Sequence, residues 1–222
     1  MSDQKPIFVS YYTKGSVYET EAKELVASLD HFGVEHKVCA IEDRGSWSAN
    51  CCYKAEFLLE MLEKYQRPVV WVDADSLVVR SPDFFNGLSA DVALYVNDHV
   101  DPSSDGKILT GTIFANNTPS AKKLLQLWKK EGERMLKTYK GLVLDQVALR
   151  RVVLHYPTIV EMKRLPEKYI SIVASKEMRR ETKDGVIVHH QASREVLNMD
   201  DDQPAPAFTH KVPAESLLPV RV

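Results

Sequence analysis

Apolar and polar positions fall into blocks along this chain, and the period changes from block to block. Ile7 to Tyr12 is a largely apolar run of strand length, which predicts a buried strand. Ala22, Leu25, Val26, Leu29 and Phe32 share one stripe at helical spacing. Gly33 stands just past the last of them, where a left-handed cap is expected. From Val34 to Ile41 the period falls to two, with Val34, His36, Val38 and Ala40 on one side. Strand, helix and strand in that order predict a parallel pair joined by a crossover helix.

The pattern then repeats with variations. Ala55, Leu58, Leu59 and Leu62 mark a second helix that must stop before Pro68. Val69-Val70-Trp71-Val72 has no alternation, the mark of a strand buried on both faces, and it ends at Asp73-Ala74-Asp75. Val92 to Val96 predicts another strand, and the polar stretch Asn97–Lys107 a mobile loop. Ile108 to Ala115 resumes as a strand, broken at Gly111. Thr118-Pro119 fits an N-cap followed by a first-turn proline, and Leu124, Leu125 and Trp128 give that helix its stripe. A helix from about Leu142 to Leu154 carries Asp145-Gln146 near its start, and Val186–Val188 is a short strand leading into His189-His190. After Asp200 the chain turns acidic and then proline-rich. The prediction is one α/β domain over residues 1–199, with a mostly parallel central sheet flanked by helices, and an extended Pro-rich tail over 200–222.

Composition narrows the functional classes. With 222 residues, 44% apolar and 27% charged, the chain fits a single globular domain. Its 29 basic and 31 acidic residues give a net charge of −2, which argues against a dedicated binder of nucleic acid or anionic membrane. The cysteines, Cys39, Cys51 and Cys52, are odd in number and two are adjacent, so neither a disulfide framework nor a structural zinc site is expected. There is no apolar run long enough to span a bilayer, and MSDQKPIFVSYYT lacks the apolar core of a secretory signal. The expected location is therefore cytoplasmic.

In open α/β sheets, ligands bind beyond the carboxyl ends of the strands. Two carboxylates leaving an apolar strand, as Asp73 and Asp75 do, are costly if buried without a counter-charge. A divalent cation supplies one; oxygen ligands suit Mg2+ or Mn2+, which take substrate phosphates as further ligands. The plainer alternative has Asp73 capping a turn and Asp75 in solvent. His189 is a candidate third ligand, imidazole favouring Mn2+ over Mg2+, and His190 is the competing candidate. Arg194 is placed to neutralise a phosphate, or is simply a solvated arginine.

The run VVWVDADSLVVRSP resembles the DxD segment of GT-A glycosyltransferases, the nucleotide-diphospho-sugar transferases. Other segments resemble the same family in the same order, over about residues 6 to 195. IFVSYYTKGSVYETEAKELVASLDHFGV is similar to the nucleotide-binding first strand and helix, and SWSANCCYKAEFLLEML to the helix before the DxD strand. LTGTIFANNT resembles the segment lining the donor sugar. LDQVALRRVV resembles the Asp-Gln helix of glycogenin-like retaining enzymes. RLPEKYI with VIVHHQASRE resembles the closing strand and its metal-binding histidine. The glycogenin-like Gly and Lys-Pro-Trp element after that histidine is absent, the chain reading HHQASRE instead.

The resemblance implies a Rossmann-like GT-A fold and a metal site of Asp73, Asp75 and His189, with His190 as the alternative. It places Tyr11, Tyr12 and Thr13 along the base, with a tyrosine ring stacking on it, and Lys54 and Arg194 near the diphosphate. Gly111 would let the backbone approach the sugar, and Asp145 and Gln146 would contact it near the reacting carbon. The implied activity is Mn2+- or Mg2+-dependent transfer of a hexosyl or pentosyl group, with retention, from a UDP-sugar to an acceptor hydroxyl on a glycan, small molecule or protein. Three rivals remain: a haloacid-dehalogenase-type phosphatase using the first Asp as nucleophile, a non-catalytic nucleotide-binding scaffold, and a transferase for modified DNA bases. The last would need Arg150-Arg151, Lys163-Arg164 and Arg179-Arg180 to converge on one basic groove.

Overall fold

The apolar runs at Ile7 and Val69 become two adjacent inner strands of a six-stranded sheet. In a computed structural model that describes residues 5–180, 182–193 and 197, β1 (Ile7–Thr13) lies between β2 (His36–Ile41) and β3 (Val69–Val72), parallel to both. The crossover helix α1 (Tyr18–His31) ends as its sequence predicts. Gly33 takes φ +63°, and Gly33 N and Val34 N donate to the carbonyls of Asp30 and Leu29, so the last carbonyls of the helix are satisfied.

The sheet continues with β6 (Ile108–Ala115), β5 (Val92–Val96) and β7 (Met162–Arg164), in the order β2-β1-β3-β6-β5-β7. Only β6 runs against the rest, antiparallel to both β3 and β5. The expectation of a mostly parallel sheet in an α/β domain holds. Its core is split by strand alternation. Ile7, Val9, Tyr11, Val69 and Trp71 face the layer of α3 (Lys54–Tyr65), α4 (Pro119–Thr138) and α5 (Asp145–His155). Phe8, Val70 and Val72 face α1 on the other side. Thr118 caps α4 as expected, its hydroxyl accepting from Ala121 N at 3.1 Å. The segment expected as one helix before β3 is two, with α2 (Trp47–Cys52) preceding α3, and the hydroxyl of Ser48 on α2 receives Val143 N just before α5.

At the end of β3 the chain leaves the central sheet. It turns through Asp73-Ala74-Asp75 and enters β4 (Ser76–Val78) in a second sheet, ordered β4-β9-β8 with β9 (Ile187–His189) and β8 (Ser171–Ile172). The sequence analysis anticipated β9 but not this sheet, because strands of two and three residues carry too little pattern.

Two expectations need correction. Strand β6 runs unbroken through Gly111; the irregularity is a register shift in its partner β5, between Ala93 and Tyr95. The Asn97–Lys107 loop is tied down. Gln146 Nε2 donates to Asp105 O at 2.8 Å, Arg150 pairs with Asp105 at 3.3 Å, and Asn97 N closes on Lys107 O at 2.9 Å. Among the described residues no helix is long and apolar enough to cross a membrane. The Pro-rich tail lies outside the described residues.

Candidate functional site

Register brings the site together. β4 pairs antiparallel with β9 so that Ser76 stands opposite His189, one residue beyond Asp75. Asp73, Asp75 and His189 each offer a ligand atom, and these atoms all lie within 4.8 Å of one another. Asp73 is oriented by Trp71 Nε1, which donates to its Oδ1 at 2.8 Å, and Asp75 by Ala192 N, which donates to its Oδ2 at 2.9 Å. The His189 ring sits between two hydroxyls, Ser76 Oγ at 2.8 Å from Nδ1 and Thr112 Oγ1 at 3.2 Å from Nε2.

The electrostatics of the three groups fit an ion-binding cluster. Burial, and then the neighbouring charge of Asp73, pushes the Asp75 carboxyl up to about 7. Burial pulls His189 down to about 4 against the opposing charge of Asp73, so its imidazole is neutral and able to ligate at neutral pH. His190 faces elsewhere: its Nδ1 lies 3.4 Å from the Asp75 carbonyl and 3.7 Å from Glu21 on α1. The geometry therefore favours His189 over the alternative.

Lys54, at the start of α3, joins this cluster to α5. Its ammonium is buried and lies 2.9 Å from Asp73 Oδ1 and 2.8 Å from Asp145 Oδ2. Burial opposes the charge, but Asp145 and Asp73 outweigh it and hold Lys54 protonated. Asp145 is the first residue of α5, and its carbonyl accepts from Trp128 Nε1 at 2.8 Å. Gly111 makes room for the His189 ring. A Cβ there would stand 2.8 Å from Cε1 of His189, so the missing side chain is the space the imidazole occupies.

Above these groups opens a cavity of about 460 Å³, between the carboxyl ends of β1 and β3, β9 and the start of α5. That volume suits a ligand the size of a nucleotide sugar. A family model for nucleotide-diphospho-sugar transferases matches residues 42–198, most of the chain. The chain belongs to that family. A crystal structure of a glycosyltransferase involved in the glycosylation of the major capsid of PBCV-1 shares the fold, with TM-score 0.62 and 17% identity over 85% of this chain and 94% of that one. Among curated proteins no relative matches.

The expected site residues of this transferase are distributed unevenly. Tyr12, Thr13, Lys54, Gly111, Asp145 and Gln146 line the same cavity as the acidic pair and His189. Tyr11 also reaches it, but its ring packs among Tyr53, Phe57 and Trp71, and its hydroxyl donates to Asn50 O at 2.6 Å. Tyr11 is thus part of the wall. Arg194 lies outside the described residues. Ser76 and Thr112, which flank His189, and Asp43, Trp47 and Asn50, which line the cavity, were not expected from the sequence. Trp71 was missed as well, although residues i and i+2 of a strand share a face and that spacing could have paired it with Asp73.

The rivals lose ground. Family membership overturns the phosphatase reading. Four of the six basic residues that a DNA-binding groove would need are engaged by acidic partners among the described residues. Arg150 pairs with Asp105, Arg151 with Glu131, Arg164 with Asp98, and Arg179 is buried against Glu21 and Glu24.

Proposed function

We propose that this transferase moves a hexosyl or pentosyl group from a UDP-sugar to an acceptor hydroxyl, depends on Mn2+ or Mg2+, and retains the anomeric configuration. The observation that carries the metal dependence is the convergence of Asp73, Asp75 and His189 on the cavity floor. Their donor set fits the cation: two carboxylates and one imidazole suit Mn2+, and Asp75 is a buried carboxylate whose ionisation a cation would favour. A bound cation would neutralise charge developing on the diphosphate leaving group.

The chain's own residues supply the rest. Trp71 and Ala192 orient the two carboxylates, and Ser76 and Thr112 hold the His189 ring through hydrogen bonds at Nδ1 and Nε2. Tyr12 and Thr13, at the carboxyl end of β1, line the cavity, which supports a role beside the base. Asp145 and Gln146 line the same cavity at the start of α5, which supports a role beside the donor sugar. The Asp145 carboxylate is engaged by Lys54, and a carboxylate locked in an ion pair is a poor general base. That engagement supports retention, in which the leaving phosphate takes the acceptor's proton. The acceptor is a glycan, small molecule or protein.

The test incubates the protein with a panel of UDP-sugars, with Mn2+ or with chelator, and measures UDP release and the anomeric configuration of the product. Metal-dependent UDP release with a retained anomer supports the proposal. Equal turnover in chelator contradicts the metal assignment, and an inverted product contradicts the stereochemical one.

A further inference from the structure

Beside the Asp73–Asp75 turn lies an ion cluster, buried at its centre, whose members do not line the cavity. Its centre is Arg179, from the 3₁₀ turn Glu177–Arg180, and the arginine is only 1% exposed. Arg179 Nη1 donates to the backbone carbonyl of Asp75 at 3.0 Å and lies 3.1 Å from Glu21 Oε2. Nη2 donates to Glu24 Oε2 at 2.9 Å. Lys176 completes the group, with Nζ 2.8 Å from Glu21 and 2.7 Å from Glu24. His190 Nδ1 faces the same Asp75 carbonyl at 3.4 Å.

Glu21 and Glu24 lie three residues apart on one face of α1. Two carboxylates and two cations balance, so the cluster adds little net field at the site. A buried ion pair is a weak source of stability compared with apolar packing. What an apolar side chain in place of Arg179 would lack is a donor for the Asp75 carbonyl.

We infer that Arg179 is the positioning residue of the metal-binding turn: its guanidinium clamps the Asp75 peptide to α1, so that Asp75 and His189 present their ligand atoms together. The inference rests on the proposal that Asp73, Asp75 and His189 hold a divalent cation. Arginine suits the task because its planar fork reaches the carbonyl and both glutamates at once, which a lysine ammonium cannot do.

The experiment titrates Mn2+ calorimetrically into wild type, Arg179→Lys, Arg179→Gln and Lys176→Ala. Thermal melting of each in chelator reads the fold separately. Arg179→Lys keeps the charge and loses the fork, and is expected to bind Mn2+ roughly ten-fold more weakly. Arg179→Gln weakens binding as well. Lys176→Ala touches the same glutamates but not Asp75, and retains the wild-type affinity. Three results would overturn the inference: unchanged affinity in Arg179→Lys, equal weakening in Lys176→Ala, or tighter binding in Arg179→Gln, which would make the guanidinium a repelling charge. If the Arg179 variants do not fold, Glu24→Asp keeps the charge and withdraws one anchor; weakened Mn2+ binding then supports the inference and unchanged binding overturns it. Failure of wild type itself to bind Mn2+ would overturn the metal proposal first, and this inference with it.

Discussion

Ser76 Oγ lies 2.8 Å from Nδ1 of His189, although 113 residues separate the two in sequence. The antiparallel pairing of β4 with β9 places them opposite one another, and Ser76 follows Asp75 directly. One strand register thus fixes both the third candidate ligand and the hydroxyl that orients it.

Replacing Ser76 with Ala is therefore expected to weaken Mn2+ binding about 10- to 100-fold, the usual cost of losing an outer partner of a metal ligand. The backbone pairing of β4 needs no side chain, so the melting temperature in chelator should change little. Calorimetric titration with Mn2+ checks the first statement and a thermal melt the second.

Gly111→Ala places a methyl group 2.8 Å from His189 Cε1. The neighbouring atoms belong to a ring held between two hydroxyls, so it has little freedom to yield. Overpacking of this kind costs about 1–3 kcal/mol. Denaturant unfolding should show that loss, and Mn2+ affinity should fall with it. A variant of unchanged stability and metal affinity would mean the ring is free to move.

Lys54 pairs with two carboxylates at once. Lys54→Met leaves Asp145 buried without its counter-charge, and removing one partner of a buried pair typically costs about 3–5 kcal/mol. The double variant Lys54→Met, Asp145→Asn should recover part of that loss, as urea unfolding of the single and double variants would reveal. Simple additivity would show that the pair is not coupled.

The pH dependence of the metal-free protein follows from two opposed shifts. Asp75, raised to about 7, gives the native state more bound protons than the unfolded state, so its contribution falls as pH rises towards 7. His189, lowered to about 4, gives the native state fewer, so its contribution rises with pH from 4 to the ordinary histidine value of 6.5. Across that window the two slopes offset one another. Asp75→Asn removes the first and exposes the second: the variant should gain roughly 3 kcal/mol of stability between pH 4 and 6.5. Urea midpoints measured across this range would test it, and a flat profile in the variant would contradict the His189 assignment.

Much of the fold was legible because long elements carry long patterns. The stripe of α1, the unbroken apolar run of β3 and the Thr118-Pro119 start of α4 each announce themselves locally. Asp73 and Asp75 were legible for the same reason, as carboxylates that no apolar strand would carry without cause. The choice of His189 over His190 was not legible, since it depends on β9 pairing with a three-residue strand far away in sequence. Tyr11 and Tyr12 alternate across a strand, but only tertiary packing shows that the Tyr11 ring is occupied by Phe57 and Trp71. Arg179 looked like half of a basic pair, and its partners Glu21 and Glu24 lie about 155 residues away. Gly111 looked like a break in a strand, because nothing in its neighbourhood in sequence reveals that a histidine ring fills its space.

The central claim is that a divalent cation held by Asp73, Asp75 and His189 joins a nucleoside diphosphate to this cavity. Thermal melting of wild type and Asp75→Asn with UDP, in Mn2+ and in chelator, tests it most directly. UDP at about 100 times its dissociation constant should stabilise wild type by about 2.7 kcal/mol, a shift of roughly 5 to 10 °C, in Mn2+ only. Asp75→Asn should show no shift in either condition. A UDP shift of equal size in chelator, or one that survives in Asp75→Asn, would contradict the account.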